Sequence, residues 1–233
     1  MKTSATDTAE YRQACSEAAR DPSMFRRKGP IRRSIDCASE IHGGKYFLMA
    51  RARWPSMAKF KLLDSVGNPD LYEYGRWNFS PSTMRYAGTL SDIIDFFGEL
   101  KDMDVVEIGG GYGGQCAAAS LFGGYRSWTI IDLPEALEMA RAYLGALGVK
   151  AIYKTKPPGG QWDLVISNYA ISECEAATHE MYRRNVLLKS TRGYVTYNRK
   201  EGRDELLCSI PGAELRPEPV QTDSRNSLIV WGF

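Results

Sequence analysis

The stretch Asp104 to Cys116, DVVEIGGGYGGQC, constrains the fold more than any other part of the chain. A short apolar run (Val105, Val106, Ile108) carries one acid, Glu107, and then breaks into five glycines among six residues. After Gln115 the chain continues in small helix formers, Ala117 to Leu121. A strand that ends in glycine and restarts as a helix presents bare backbone to a ligand, because glycine has no Cβ and tolerates φ > 0. The helix N-terminus adds unpaired N–H groups for an anionic part of that ligand. The expected occupant is nucleoside-shaped; the bland alternative is a tight turn that binds nothing.

Two templates fit the glycines. Gly109, Gly111 and Gly114 match G-x-G-x-x-G, the dinucleotide fingerprint. Glu107 with Gly109, Gly111 and Gly113 matches acid-x-G-x-G-x-G, the form found in S-adenosylmethionine-dependent methyltransferases. Glu107 favours the second, since a carboxylate inside the strand can help hold a cationic, amine-bearing cofactor. About a hundred residues precede the turn, whereas dinucleotide domains usually begin near theirs.

With 233 residues the chain suits one domain with a substantial core and an N-terminal appendage. Its apolar fraction of 43% and charged fraction of 25% are those of an ordinary globular protein. A net charge of +2 is too small to argue for a nucleic-acid partner. The excess of basic residues lies early, in RRKGPIRR, Arg26 to Arg33. This run reads as a solvated basic loop, with a phosphate-binding arm or a membrane-surface patch as the sharper alternatives. Five scattered cysteines without C-x-x-C spacing imply neither zinc nor a disulfide framework, and suit a reducing cytoplasm. The polar N-terminus is no secretory signal, and no apolar run reaches the roughly 18 residues of a membrane helix.

Along the chain, residues 1–20 read as a polar helix or a frayed end. Met24 to Gly44 reads as irregular, with Gly29-Pro30 and Gly43-Gly44 as breakers. Tyr46 to Leu63 has helical spacing interrupted by Pro55, and Gly67 to Pro81 is turn-rich and aromatic. Ser82 to Leu100 reads as a helix with Ile93, Ile94, Phe96 and Phe97 toward a core. Residues 1–100 thus form a mainly helical, acceptor-side lead-in, and residues 101–233 the cofactor-binding domain. From Asp104 on, strands at Val105–Ile108, Trp128–Ile131, Lys150–Tyr153, Leu164–Ser167 and Tyr194–Tyr197 alternate with helical stretches. Further strands near Glu214–Arg216 and Leu228–Trp231 close the chain. This alternation means βαβ units and a parallel sheet covered on both faces, with ligands at the carboxyl ends of the strands.

Asp132 ends the second of these strands, 21 residues after Gly111. A carboxylate there accepts hydrogen bonds from ribose hydroxyls, and it is equally suited to capping the Leu-Pro-Glu helix that follows. Asn168, Tyr169 and Glu173, after the fourth strand, fall where such a sheet presents reacting groups. Methylation of a hydroxyl needs a base and in-line placement of the oxygen. Glu173 is the first candidate for that base and a helix cap otherwise; His179 is the second and a surface residue otherwise. Tyr169 and Asn168 suit pocket-shaping or cofactor contact. No aspartate pair follows the fourth strand, so no metal is expected; Asp163 sits at the opposite end. The acid that often contacts an adenine amino group after the third strand is replaced by Lys154-Thr155-Lys156-Pro157.

The ordered set VVEIGGGYGGQC, WTIIDLPEALEMARAYL, WDLVISNYAISE and YRRNVLLKSTRGYVTYN resembles the sugar O-methyltransferase family of bacterial and viral glycan pathways. The resemblance spans about residues 82–198, with SPSTMRY as a weaker leading match. It implies a class I methyltransferase fold, Rossmann-like and doubly wound, with a mostly parallel seven-stranded sheet and an N-terminal helical extension. It further implies S-adenosyl-L-methionine as donor and a saccharide hydroxyl as acceptor. The cofactor set carried over is Glu107, Gly109, Gly111, Tyr112, Gly113, Asp132, Leu133 and Asn168; the catalytic edge is Glu173, Tyr169 and His179. Arg85, Tyr86 and Asn198 fall on the acceptor side. The rival readings are a methyltransferase for a small natural product or peptide, an NAD-dependent oxidoreductase, and a non-catalytic protein that keeps the fold.

Overall fold

The computed structural model describes residues 7–198 and 201–233. Helix α1 (Ala9–Arg20) starts where the Thr8 hydroxyl accepts the Tyr11 N–H, and it buries Tyr11, Ala14, Cys15 and Ala18. Residues 1–6 of the expected N-terminal helix lie outside the described residues. Met24 to Gly44 is more ordered than its glycines suggested. A 3₁₀ turn (Phe25–Arg27) leads into α2 (Gly29–Ser34), where Gly29-Pro30 opens a helix because proline suits the first turn. Gly43 and Gly44 lie inside α3 (Glu40–Arg53). A Cβ on Gly43 would come within 2.2 Å of Tyr74 Oη and 2.8 Å of Pro81 Cα, so this glycine serves a close helix crossing, not a break.

A 3₁₀ segment (Ala58–Asp64) and a small hairpin of β1 (Tyr72–Tyr74) and β2 (Trp77–Phe79) precede α4 (Pro81–Phe97). Helix α4 packs along α3, buries Ile93 and Ile94, and leaves Phe96 and Phe97 partly covered. Then come β3 (Asp104–Ile108), α5 (Gly114–Leu121), β4 (Ser127–Ile131), α6 (Pro134–Ala146), β5 (Ile152–Lys154) and β6 (Trp162–Asn168). The short α7 (Ala170–Glu173), α8 (Ala176–Asn185), β7 (Ser190–Tyr197), α9 (Arg203–Ser209), β8 (Glu214–Arg216) and β9 (Ser227–Trp231) follow.

The seven-stranded sheet runs β5-β4-β3-β6-β7-β9-β8. Its first five strands are parallel, and β9 is antiparallel to both β7 and β8. Alternation along the strands splits the core into two layers. Val105, Trp128 and Ile130 join the N-terminal helices, α5 and α6 on one face; Val106, Ile108 and Ile131 join residues of α8 and α9 on the other. The order reverses between β3 and β6, so a crevice opens at the carboxyl ends of those two strands.

The basic run is helical and not a loop, with Arg27, Arg32 and Arg33 solvated as expected and Arg26 turned inward. Arg26 is fully buried and paired with Asp36 (3.0 Å) and Asp64 (2.8 Å). Arg27 and Arg32 both reach Asp70, Lys28 reaches Glu17, and Arg33 reaches Glu10. Every cation of the run has an acid within ion-pair distance, while Arg27, Arg32 and Arg33 stay exposed and the first two share Asp70.

Candidate functional site

A cleft of about 570 Å³ lies over the carboxyl ends of β3, β4, β6 and β7. Its floor is the glycine turn. Gly109 has φ +74° and Gly111 φ +55°, the left-handed region that glycine enters without a Cβ clash. A Cβ on Gly109 would lie 2.1 Å from Ala170 Cβ, so β3 and the start of α7 meet through this glycine. Gly113 is the left-handed N-cap of α5 and lies off the cleft wall.

Glu107 and Asp132 give the floor its charge. Glu107 is 2% exposed, and its Oε2 accepts the Trp128 indole N–H at 2.9 Å. Burial pushes its pKa up to about 7; the indole bond acts the other way, and the nearby Asp132 charge adds to the rise. Asp132 accepts the backbone N–H groups of Gly111 (2.9 Å) and Leu133 (2.7 Å). Burial raises it to about 6 against the pull of those two bonds. It does not cap the next helix: Leu133 is the N-cap of α6, and no side chain caps it. Two acids in one cleft, both held off their ordinary range by burial and with no cation among the described residues bonded to either, make a floor that a cationic ligand would relieve.

The opposite wall forms after β6. Tyr169 has φ +68°, uncommon for a residue with a side chain, and its N–H donates to Thr196 O at 3.1 Å. The turn swings its phenol toward the loop between β8 and β9, 3.4 Å from Thr222 Oγ1. Thr222 spends its one hydroxyl proton on Glu218 Oε2 (2.9 Å), so Tyr169 is the donor in that contact. Tyr46 of α3 lines the same side of the cleft. Glu173, at the end of α7, lines the cleft, and Asn198 Nδ2 donates to its Oε1 at 3.3 Å. Asn198 Oδ1 accepts the Ser172 hydroxyl, which fixes the orientation of that amide.

The cleft therefore brings together Glu107, Gly109, Gly111, Asp132, Leu133, Asn168, Tyr169, Glu173, Arg85, Tyr86 and Asn198. Besides Gly113, two sequence candidates fall elsewhere. Tyr112 is completely buried beneath the turn, its phenol on Asp36 Oδ1 at 3.0 Å and its ring edge-on to Phe25, Tyr86 and Tyr143. It anchors the turn from below because its aromatic ring gains more from that cluster than from the cleft. His179 lies on α8 against Tyr197, off the cleft wall, and burial lowers its pKa.

Sequence reasoning missed the N-terminal wall, Ile35, Cys37, His42 and Tyr46, and the tail residues Thr222 and Asn226. His42, the other histidine, stands on the cleft where His179 does not. The one signal for the N-terminal wall was the acid Asp36 close after a basic run.

No protein-family model matches this chain, and no curated protein matches it. Solved structures do. Thermoplasma acidophilum 1320 is 16% identical over 75% of this chain and 94% of its own, with a TM-score of 0.50. A point mutant of MtNAS, in complex with S-adenosylmethionine, is 16% identical over 93% of this chain and 87% of its own, with a TM-score of 0.50. The likeness lies in the architecture, and the chain has the Rossmann-like fold of class I methyltransferases.

Proposed function

We propose that the cleft binds S-adenosylmethionine and that the protein is a methyltransferase acting on a hydroxyl group of a saccharide. The observation that carries this reading is the coupling of Asp132 to Gly111 across the carboxyl ends of β4 and β3, beside the switch point of the sheet. It sets a carboxylate against the glycine floor, with the buried acid Glu107 beneath. The likeness to a structure holding S-adenosylmethionine supports the same cofactor. Five free thiols suit a reducing compartment.

When bound, S-adenosylmethionine supplies a methyl group already activated on a sulfonium. The protein's work is then orientation and removal of one proton. In this reading Asp132 accepts the ribose hydroxyls, and Glu107 offsets the positive charge of the ligand. Asn168 and Leu133 flank the cofactor. Glu173 accepts the proton of the acceptor hydroxyl at its carboxylate, held in place by Asn198. Tyr169, with its phenol committed to Thr222, lines the acceptor side and leaves its oxygen lone pairs for a donor hydroxyl.

The test is a mass-spectrometric assay with S-adenosylmethionine and a panel of free and nucleotide-linked sugars. A gain of one methyl mass on a sugar, lost by at least a hundredfold in Glu173→Gln, is the expected result. Methyl transfer to a non-sugar alcohol only would replace the acceptor class and keep the reaction. Transfer at the wild-type rate by Glu173→Gln would remove Glu173 as the base.

A further inference from the structure

Among the described residues Arg26 is fully buried, whereas Arg85 is half-buried with its Nε shut off from solvent, and their surroundings differ. Arg26 is held by Asp36 and Asp64, with further bonds to Leu63 O and Ser80 Oγ. Arg85, on α4, has no such partner. Its Nη2 donates to the backbone oxygen of Ile35 at 2.7 Å, and its Cζ stands 5.4 Å from the centre of the Tyr86 ring. Its Nε is buried with no hydrogen-bond partner. Among the described residues, which include every aspartate and glutamate of the chain, no carboxylate pairs with it. A carbonyl and a ring face do not balance a half-buried cation, a charge that proteins commonly pair with an anion. Arg85 lines the cleft.

We infer that Arg85 is the receptor for an oxyanion, a carboxylate or a phosphate, carried by a ligand of the cleft. The guanidinium fork suits two oxygens of such a group. Tyr86 beneath and Ile35 beside it fix the plane of the fork, so the site is built before the anion arrives. The anion has two possible carriers: an acidic acceptor, or the α-carboxylate of S-adenosylmethionine, the second resting on the cofactor reading above.

The test compares wild type, Arg85→Gln and Arg85→Lys by calorimetry and thermal melts. The probes are S-adenosylhomocysteine, 5′-methylthioadenosine (the same nucleoside thioether without the amino acid), and inorganic phosphate or acetate added to the protein saturated with S-adenosylhomocysteine. If the cofactor carries the anion, Arg85→Gln weakens S-adenosylhomocysteine by at least tenfold and leaves 5′-methylthioadenosine unchanged, with Arg85→Lys in between. If the acceptor carries it, both nucleosides bind as before, and the rise in Tm with phosphate or acetate disappears in Arg85→Gln. The ligand-free Tm of Arg85→Gln holds or rises in either case, because a charge without a counterion is removed. Unchanged binding of all probes, or a ligand-free Tm that falls while every binding constant stays, overturns the inference. Failure of wild type to bind S-adenosylhomocysteine sinks the cofactor reading alone, and the phosphate and acetate arm then decides for Arg85.

Discussion

Asp132 Oδ2 accepts the N–H of Gly111 at 2.9 Å, which joins the acid that ends β4 to the glycine turn that follows β3. The bond couples two functions usually discussed apart: the backbone conformation of the turn and the position of the ribose acceptor. Asp132→Ala removes both. The expected outcome is a ten- to hundredfold weaker Kd for S-adenosylhomocysteine, about 1.4 to 3 kcal/mol, read by calorimetry. Asp132→Asn keeps one oxygen for Gly111 and is expected to fall between.

Glu107 gives the free protein a pH dependence of definite sign. Its carboxyl titrates at about 7 in the fold, above its ordinary 4.5, so between those values the folded protein holds a proton that the unfolded chain has lost. Stability contributed by the group is therefore full below about pH 4.5 and is lost as pH rises to about 7, at about 1.4 kcal/mol for each pH unit between the two values. Asp132, raised to about 6, acts in the same direction. Thermal melts from about pH 5 to 8 should show wild type losing stability relative to Glu107→Gln, which keeps an acceptor for Trp128. Saturating S-adenosylmethionine, a cation beside the carboxylate, should flatten that difference.

Asp36 ties the N-terminal wall of the cleft to the interior, through Arg26 at 3.0 Å and the Tyr112 phenol at 3.0 Å. Asp36→Ala leaves Arg26 with one carboxylate and Tyr112 with none. Loss of one partner from a buried pair costs about 3 kcal/mol or more, which urea denaturation would register. Because Ile35 and Cys37 flank this anchor and line the cleft, ligand affinity should drop as well. Unaltered affinity in a destabilised Asp36→Ala would separate the wall from the binding site.

What could be read ahead of the structure was local. A strand, a glycine turn and a helix fit within 18 residues, Asp104 to Leu121, and the short apolar runs of β3 and β4 identify them without tertiary information. Asp132 and Asn168-Tyr169 follow from strand ends for the same reason. The N-terminal wall was hidden because distant partners place it. Arg26 reaches 38 residues to Asp64 and 54 to Ser80, and nothing in RRKGPIRR reveals that its first arginine turns inward. Tyr112 was misplaced on similar grounds: a residue between glycines can point either way, and Asp36, 76 residues earlier, decides. Gly43 reads as a breaker in the sequence, yet it and Gly88 leave room where α3 crosses α4; a Cβ on Gly88 would lie 2.6 Å from the Tyr46 ring.

The most direct measurement is a calorimetric titration of the protein with S-adenosylhomocysteine, with NAD as the parallel ligand. One equivalent of S-adenosylhomocysteine is expected to bind with a Kd in the micromolar range, about −8 kcal/mol, with no heat from NAD. Saturable binding of NAD with none of S-adenosylhomocysteine would contradict it.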